Sequence, residues 1–141
     1  MRTLCLDVGD RRIGVAVSDA LGITAQGLET YWRTESTKKD VAYILGLLRQ
    51  YAPCRLLLGL PMNMNGTLGE RALKCEEFAH LLEEIGDIKV ILWDERLTSV
   101  DANRILSDAG KKRKKQKMLV DAVAASLILE GYLEVRRKNQ G

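Results

Sequence analysis

The chain has 141 residues, 46% of them apolar and 29% charged, with a net charge of +3, a composition that places it among single-domain soluble globular proteins. No run approaches the ~18 apolar residues of a membrane span, and the start lacks the charged, apolar and small-residue succession of a signal peptide, so a cytoplasmic chain with no membrane partner is expected. The charge is uneven: residues 1–110 carry 13 Lys/Arg against 16 Asp/Glu, residues 111–141 carry 9 against 3, and that asymmetry points to a polyanion met from one side.

In chain order, Leu4, Leu6 and Val8 alternate with Thr3, Cys5 and Asp7, and Ile13, Val15 and Val17 alternate with Gly14, Ala16 and Ser18. Both runs predict strands joined by a short hairpin. Asp7 then projects from the face with the smaller residues, where Gly14, Ala16 and Ser18 leave room for a close approach, read as that of a metal ion and a phosphate. Ile23 to Trp32 predicts a third antiparallel strand, with Gly22 and Gly27 blurring its limits. Val41, Ile44, Leu45, Leu48 and Tyr51 then fall at helical spacing, with Thr37 as N-cap, Asp40 three residues on, and Pro53 marking the end.

Cys54 to Leu58 predicts a buried strand running into the loop Gly59-Leu60-Pro61-Met62-Asn63-Met64-Asn65-Gly66. That loop precedes a helix opened by Thr67 and Glu70. The helix carries Cys75, Phe78, Ala79, Leu82 and Ile85 on one face and stops near Gly86. Ile88 to Trp93 predicts a strand that delivers Asp94-Glu95-Arg96, and Thr98 with Asp101 opens a helix with Val100, Ile105, Leu106 and Ala109 inward. After a run of six basic residues in seven, Lys111-Lys112-Arg113-Lys114-Lys115-Gln116-Lys117, Met118 to about Val135 predicts a helix apolar almost all round at its start, hence buried. The order implies one α/β domain over 1–141, with a mixed five-stranded sheet flanked by helices.

Cys5, Cys54 and Cys75 are odd in number and form no C-x-x-C pair, so they are expected as reduced core residues. His80 stands alone on a helical stretch, which leaves no zinc set. Three acids sit where acids are not expected: Asp7 at a core strand's end, Glu95 past another, and Asp121 within the apolar turn Met118–Ala125. A charge in such surroundings is paired or holds a metal. For Asp121 the alternative is an ion pair with Lys117 one turn back, or a half-exposed place near the helix start. Converging at the strand ends, the three would suit Mg²⁺ or Mn²⁺, and two such ions about 4 Å apart can activate a water and stabilise the leaving oxygen of a phosphodiester.

Arg11, Arg12 and Arg96 are candidate phosphate contacts or carboxylate-pairing arginines. The basic residues Lys111, Lys112, Arg113, Lys114, Lys115 and Lys117 are candidate nucleic-acid contacts, with a solvated loop as the alternative. The loop Asn63-Met64-Asn65-Gly66 reads as a phosphate-binding loop or as a plain turn. Trp32, Trp93 and the tyrosines show no spacing of a base-stacking platform.

Asp7-Val8-Gly9-Asp10-Arg11-Arg12-Ile13-Gly14-Val15-Ala16, Gly59-Leu60-Pro61 with Asn65-Gly66, Asp94-Glu95-Arg96 with Leu97-Thr98-Ser99, and Asp121-Ala122-Val123-Ala124-Ala125 together resemble the four signature blocks of the YqgF (RuvX) family. The resemblance spans nearly the whole chain. It implies a ribonuclease H-like fold, metal-binding catalytic acids at Asp7, Glu95 and Asp121, and a divalent-metal-dependent nuclease that matures the 5′ end of pre-16S ribosomal RNA in ribosome biogenesis. Holliday junction resolution in DNA recombination and repair is the alternative it implies by analogy with RuvC. Related resolvases use a fourth acid. Here Asp10 and Asp94 are the nearby acidic places, and residue 124 is alanine.

Two other classes compete: a non-catalytic RNA-binding ribosome assembly factor, and half of an actin-like or sugar-kinase-like ATPase, which also begins with D-x-G on a hairpin but needs two domains to close over ATP. A monomer or a homodimer fits the sequence, a junction resolvase requiring the dimer.

Overall fold

The structure, a computed structural model, describes residues 1–97 and 117–140, with side chains of the second segment described from 122 to 139. The elements are β1 (Arg2–Val8), β2 (Arg12–Ser18), β3 (Ala25–Trp32), α1 (Thr37–Gln50), β4 (Cys54–Leu60), α2 (Glu70–Gly86), β5 (Val90–Asp94), a 3₁₀ turn (Glu95–Leu97) and α3 (Lys117–Gln140). The helix expected from Thr98 to Gly110 and the basic run 111–115 lie outside the described residues. The strands form one sheet in the order β3-β2-β1-β4-β5. β1, β2 and β3 pair antiparallel, whereas β1, β4 and β5 pair parallel, which gives the expected mixed five-stranded sheet. No helix among the described residues is long and apolar enough to cross a membrane.

The alternation in β1 and β2 sorts the two faces. Leu4, Leu6, Val8, Ile13, Val15 and Val17 pack beneath α1 and α2 with Val41, Ile44, Phe78 and Leu82. The smaller face, Cys5 and Ala16 with Leu57, packs under Ala125, Ile128, Leu129, Tyr132 and Leu133 of α3. β4, between two parallel neighbours, buries apolar residues on both faces, as a covered central strand must. Over Ala16 the room left by small side chains is therefore taken by a helix rather than by the expected ion and phosphate. At Gly27 the helix backbone itself comes close, since a Cβ there would stand 3.1 Å from the Ala122 carbonyl oxygen. Gly27 also flanks the bulge by which β3 shifts register against Val15 and Ala16.

Several boundaries differ from the sequence reading for local reasons. β3 begins at Ala25, because residues before it turn about Asp19, whose Oδ1 accepts from the N–H groups of Ile23 and Thr24. The cap of α1 is Ser36, whose hydroxyl accepts from the Lys39 N–H, so Thr37 is the first helical residue. Thr67 does not cap α2: its hydroxyl donates to Asn65 and accepts from Asn63 inside the loop, and Gly69 takes the cap position without a side-chain bond. At the far end, the left-handed residue is Asp87 (φ 51°). Gly86 serves packing instead, since a Cβ there would fall 2.5 Å from Leu45 Cδ2 of α1.

Asp40 is fully buried. Its carboxylate accepts from Tyr31 Oη (2.9 Å), Arg33 Nε (3.1 Å), Thr34 N (2.9 Å) and Thr34 Oγ1 (3.0 Å), tying the end of β3 to the first turn of α1. Burial pushes its pKa up, but these donors outweigh it and hold the carboxyl below its usual range. Asp40→Ala strands Arg33 and three other donors, so it is expected to lower unfolding stability by about 3 kcal/mol in urea titrations. A loss below 1 kcal/mol would show that the network contributes little.

Candidate active site

Because β1, β4 and β5 run parallel, their C-terminal ends share one edge of the molecule. Asp7 stands next to the end of β1, Gly59 next to the end of β4, and Asp94 ends β5 with Glu95 directly after it. Glu95 folds back over Gly59: a Cβ on that glycine would meet Glu95 Cγ and Oε2 at 3.2 Å and Ile128 Cδ1 at 3.0 Å. A side chain at residue 59 would crowd the carboxylate in that position.

Asp7 and Glu95 sense each other. Glu95 has its pKa pushed up to about 7, first by burial, then by the negative charge of Asp7, against the opposing pull of Arg71. Both carboxylates also act on the Cys5 thiol, whose pKa is raised by burial and then by these two charges. Glu95 Oε2 is buried and has no hydrogen-bond partner among the described residues. Asp7 is 16% exposed and has Arg71 Nη2 at 3.6 Å.

An orphaned, buried carboxylate oxygen beside a second carboxylate is a hard, oxygen-only donor set, which fits a divalent cation such as Mg²⁺ or Mn²⁺. The third acid, Asp121, falls on α3, the helix that packs across this face, and its side chain lies outside the described residues. Without it, no three His, Cys, Asp or Glu residues form a metal-sized group among those described.

The hairpin that follows Asp7 closes through the Gly9 N–H on the Arg12 carbonyl (2.8 Å). Arg33 braces it from β3: its N–H donates to Arg11 O at 2.8 Å and its Nη1 to Gly9 O at 3.0 Å. The same guanidinium is the one that pairs with Asp40, and it lies 5.1 Å over the Phe78 ring. A cavity of about 410 Å³ opens beside Asp7, lined by Gly9, Asp10, Arg11, Arg12, Trp32 and Arg71.

The other expected contacts are placed as follows. Arg11 and Arg12 line this cavity, Arg12 with its guanidinium 5.3 Å over the Trp32 ring. Arg96 is engaged by Asp94 through Nη2 at 2.7 Å and Nε at 3.0 Å, and its Nη1 reaches Met64 O at 3.2 Å, so it braces the 61–69 loop. That pairing holds the Asp94 pKa below the usual carboxylate range. Asp10, the other candidate fourth acid, is exposed and faces Lys74 at 3.7 Å. Lys111, Lys112, Arg113, Lys114 and Lys115 are outside the described residues, and Lys117 lies in the first turn of α3 with its side chain outside them.

Sequence reasoning missed Arg71 and Arg33, and named Gly59 only as the start of a loop and within a block of the family resemblance, without a role in the site. Arg71 alone left a local trace: it occupies the first turn of α2, where the helix dipole mildly disfavours a cation and a neighbouring anion would offset that cost. Cys5 and Cys75 are buried and reduced, and Cys54 is half-buried. His80 is exposed on α2 beside Glu83.

Residues 1–135 match the family model described as "RuvX: Holliday junction resolvase". The chain belongs to the RuvX family. It is 48% identical over 141 residues, covering all of both chains, to a "Putative pre-16S rRNA nuclease" of Halothermothrix orenii (strain H 168). A Clostridium novyi (strain NT) relative of the same name is 49% identical over 134 residues, 95% of this chain and 98% of that one. Among solved structures, Thermus thermophilus RuvC superposes with a TM-score of 0.57 at 17% identity, over 96% of this chain and 97% of that one. The T. thermophilus RuvC complex with a Holliday junction substrate gives 0.56 at 19%, over 96% of each. At those identities the likeness concerns the fold, which for this RuvX family member is ribonuclease H-like.

Proposed function

We propose that this chain is a divalent-metal-dependent nuclease that matures the 5′ end of pre-16S ribosomal RNA, with Asp7, Glu95 and Asp121 as its metal-holding acids. The observation that carries this reading is the pairing of Asp7 with a Glu95 whose Oε2 is buried without a protein partner among the described residues. The names of the relatives support the substrate. When bound, Mg²⁺ or Mn²⁺ supplies Lewis-acid polarisation of the phosphodiester and neutralises developing charge.

The chain's own residues do the rest. Gly59 leaves the space in which Glu95 lies, and Arg71 keeps the two carboxylates from repelling each other at full strength. Arg71 and Arg11, on the cavity wall, receive the scissile or flanking phosphates as charge-assisted hydrogen-bond donors. Arg33 fixes the hairpin that carries Asp7 and Arg11 at either end of its turn. The basic residues 111–115 and Lys117 would add backbone contacts whose strength falls with salt.

The description of the matched family favours a second reading, cleavage of four-way DNA junctions. Matched pre-16S RNA, a four-way DNA junction and a linear duplex, each incubated with Mg²⁺, with Mn²⁺ and with chelator, separate the two. Divalent-dependent cleavage confined to the RNA is expected. Cleavage of the junction alone would transfer the reading to DNA, and binding without cleavage of any substrate would make the chain an assembly factor.

A further inference from the structure

The wall of the cavity beside Asp7 includes an aromatic ring that no part of the metal chemistry uses. Trp32 closes β3 at the open edge of the sheet, where the register sets it opposite Arg12, the first residue of β2. The guanidinium of Arg12 lies over the ring, 5.3 Å from its centroid, within cation–π distance. Even so, Trp32 keeps 53% of its surface exposed, an unusual state for a tryptophan at the mouth of a charged cleft. The other tryptophan, Trp93, packs edge-on against Tyr132 at 5.4 Å under α3, so only one indole faces the cleft. Besides Asp7 and Gly9 the wall holds Asp10, Arg11, Arg12, Arg71 and Trp32, so two carboxylates, three guanidiniums and one exposed indole share a single cleft.

We propose that Trp32 is a stacking platform for one unpaired nucleobase next to the scissile phosphate, with Arg11 and Arg71 on the phosphates between them. The site thereby requires a single-stranded or splayed nucleotide, not a continuous duplex, on that side of the cut. This rests on the nuclease reading above and deepens it. The chemistry follows from the residue types: an indole offers every base a π-face without reading its identity, and neighbouring arginines track the backbone. A base still paired within a duplex presents only its edge and cannot lie on the ring. The cavity therefore selects for strand state rather than for sequence.

The test is made with the full-length Asp7→Asn protein, expected to bind without cutting, and with four probes: a duplex bearing a single-stranded extension and a blunt duplex, each in RNA and in DNA. Extended probes should bind about tenfold tighter than blunt ones and quench tryptophan emission. Adding Trp32→Ala should remove that preference and the quenching while leaving blunt-duplex binding unchanged, and Trp32→Phe should retain most of it. Extended probes made abasic at successive positions from the junction should lose the preference at one position only, an arm that needs no change at residue 32. An extension preference that survives Trp32→Ala undiminished, or the lack of any sensitive abasic position, would overturn the platform while leaving the nuclease reading intact. Failure to bind any of the four probes would overturn both. A preference confined to the RNA pair or the DNA pair would keep the platform and identify the polymer.

Discussion

Replacing Asp7 by Asn is expected to lower divalent-dependent cleavage by at least about 10²-fold, while the protein folds and still binds nucleic acid. The substitution keeps the side chain's size and one oxygen but removes the charge that faces Glu95. Little stability should be lost, because the Arg71 partner at 3.6 Å is 60% exposed and such a pair contributes at most about 1 kcal/mol. Relief of the repulsion that helps raise the Glu95 pKa works in the opposite direction. Single-turnover cleavage under saturating Mn²⁺, with affinity measured separately, checks the outcome. Parental cleavage by the Asn variant would remove Asp7 from the site, and lost affinity with an unchanged cleavage step would make it a binding residue.

Glu95→Gln should abolish cleavage and, in metal-free protein, increase stability at pH 8. With its pKa raised from the usual 4.5 to about 7, Glu95 is neutral in the folded chain over a range where the unfolded chain has it ionised. The stability this contributes is complete below about pH 4.5 and is lost as pH rises through about 7. Glutamine carries no charge at any of these values. Thermal melts in chelator should therefore show the wild type falling relative to Glu95→Gln between pH 5 and 8, by a difference on the order of 2 kcal/mol. Mg²⁺ or Mn²⁺ should reverse the order at pH 8, because a cation held there would neutralise the carboxylate, which is already ionised at that pH. Parallel pH curves for the two proteins would show that Glu95 is solvated and ordinary, and would take the buried-carboxylate argument with them.

How much of this was legible in the sequence depends on the distance over which each signal acts. The alternation of Leu4–Val8 and Ile13–Val17 is a local period, and it correctly placed Asp7 on the face of smaller residues. The helical spacings in 41–51 and 75–82 were equally local, and both helices formed. The two capping pairs within the described residues, Thr37 with Asp40 and Thr67 with Glu70, failed because each N-terminus offers several Ser, Thr and Gly candidates within a few residues, and the choice is made by tertiary partners: Asp40 is drawn away to Tyr31, Arg33 and Thr34.

Gly59 read as the start of a loop, since nothing local announces that a carboxylate from residue 95 will lie over it. Trp32 and Arg12 are twenty residues apart with no shared period. They meet only through the β2–β3 register, which a bulge shifts partway along, so a search for regularly spaced aromatics could not find a platform of one. The acid at 121 stood out by its incongruity within an apolar run, and its backbone falls on the helix that covers this face.

The arginine at residue 33 has a consequence for anyone who would move this site elsewhere. The opening hairpin looks portable: it is short, contiguous and carries its carboxylate at a fixed place. Its turn is held by a side chain two strands away, and that side chain is in turn held by a buried acid in the next helix. A graft of residues 1–18 onto another sheet would carry the carboxylate without its strut, so the smallest transplantable unit extends through Asp40.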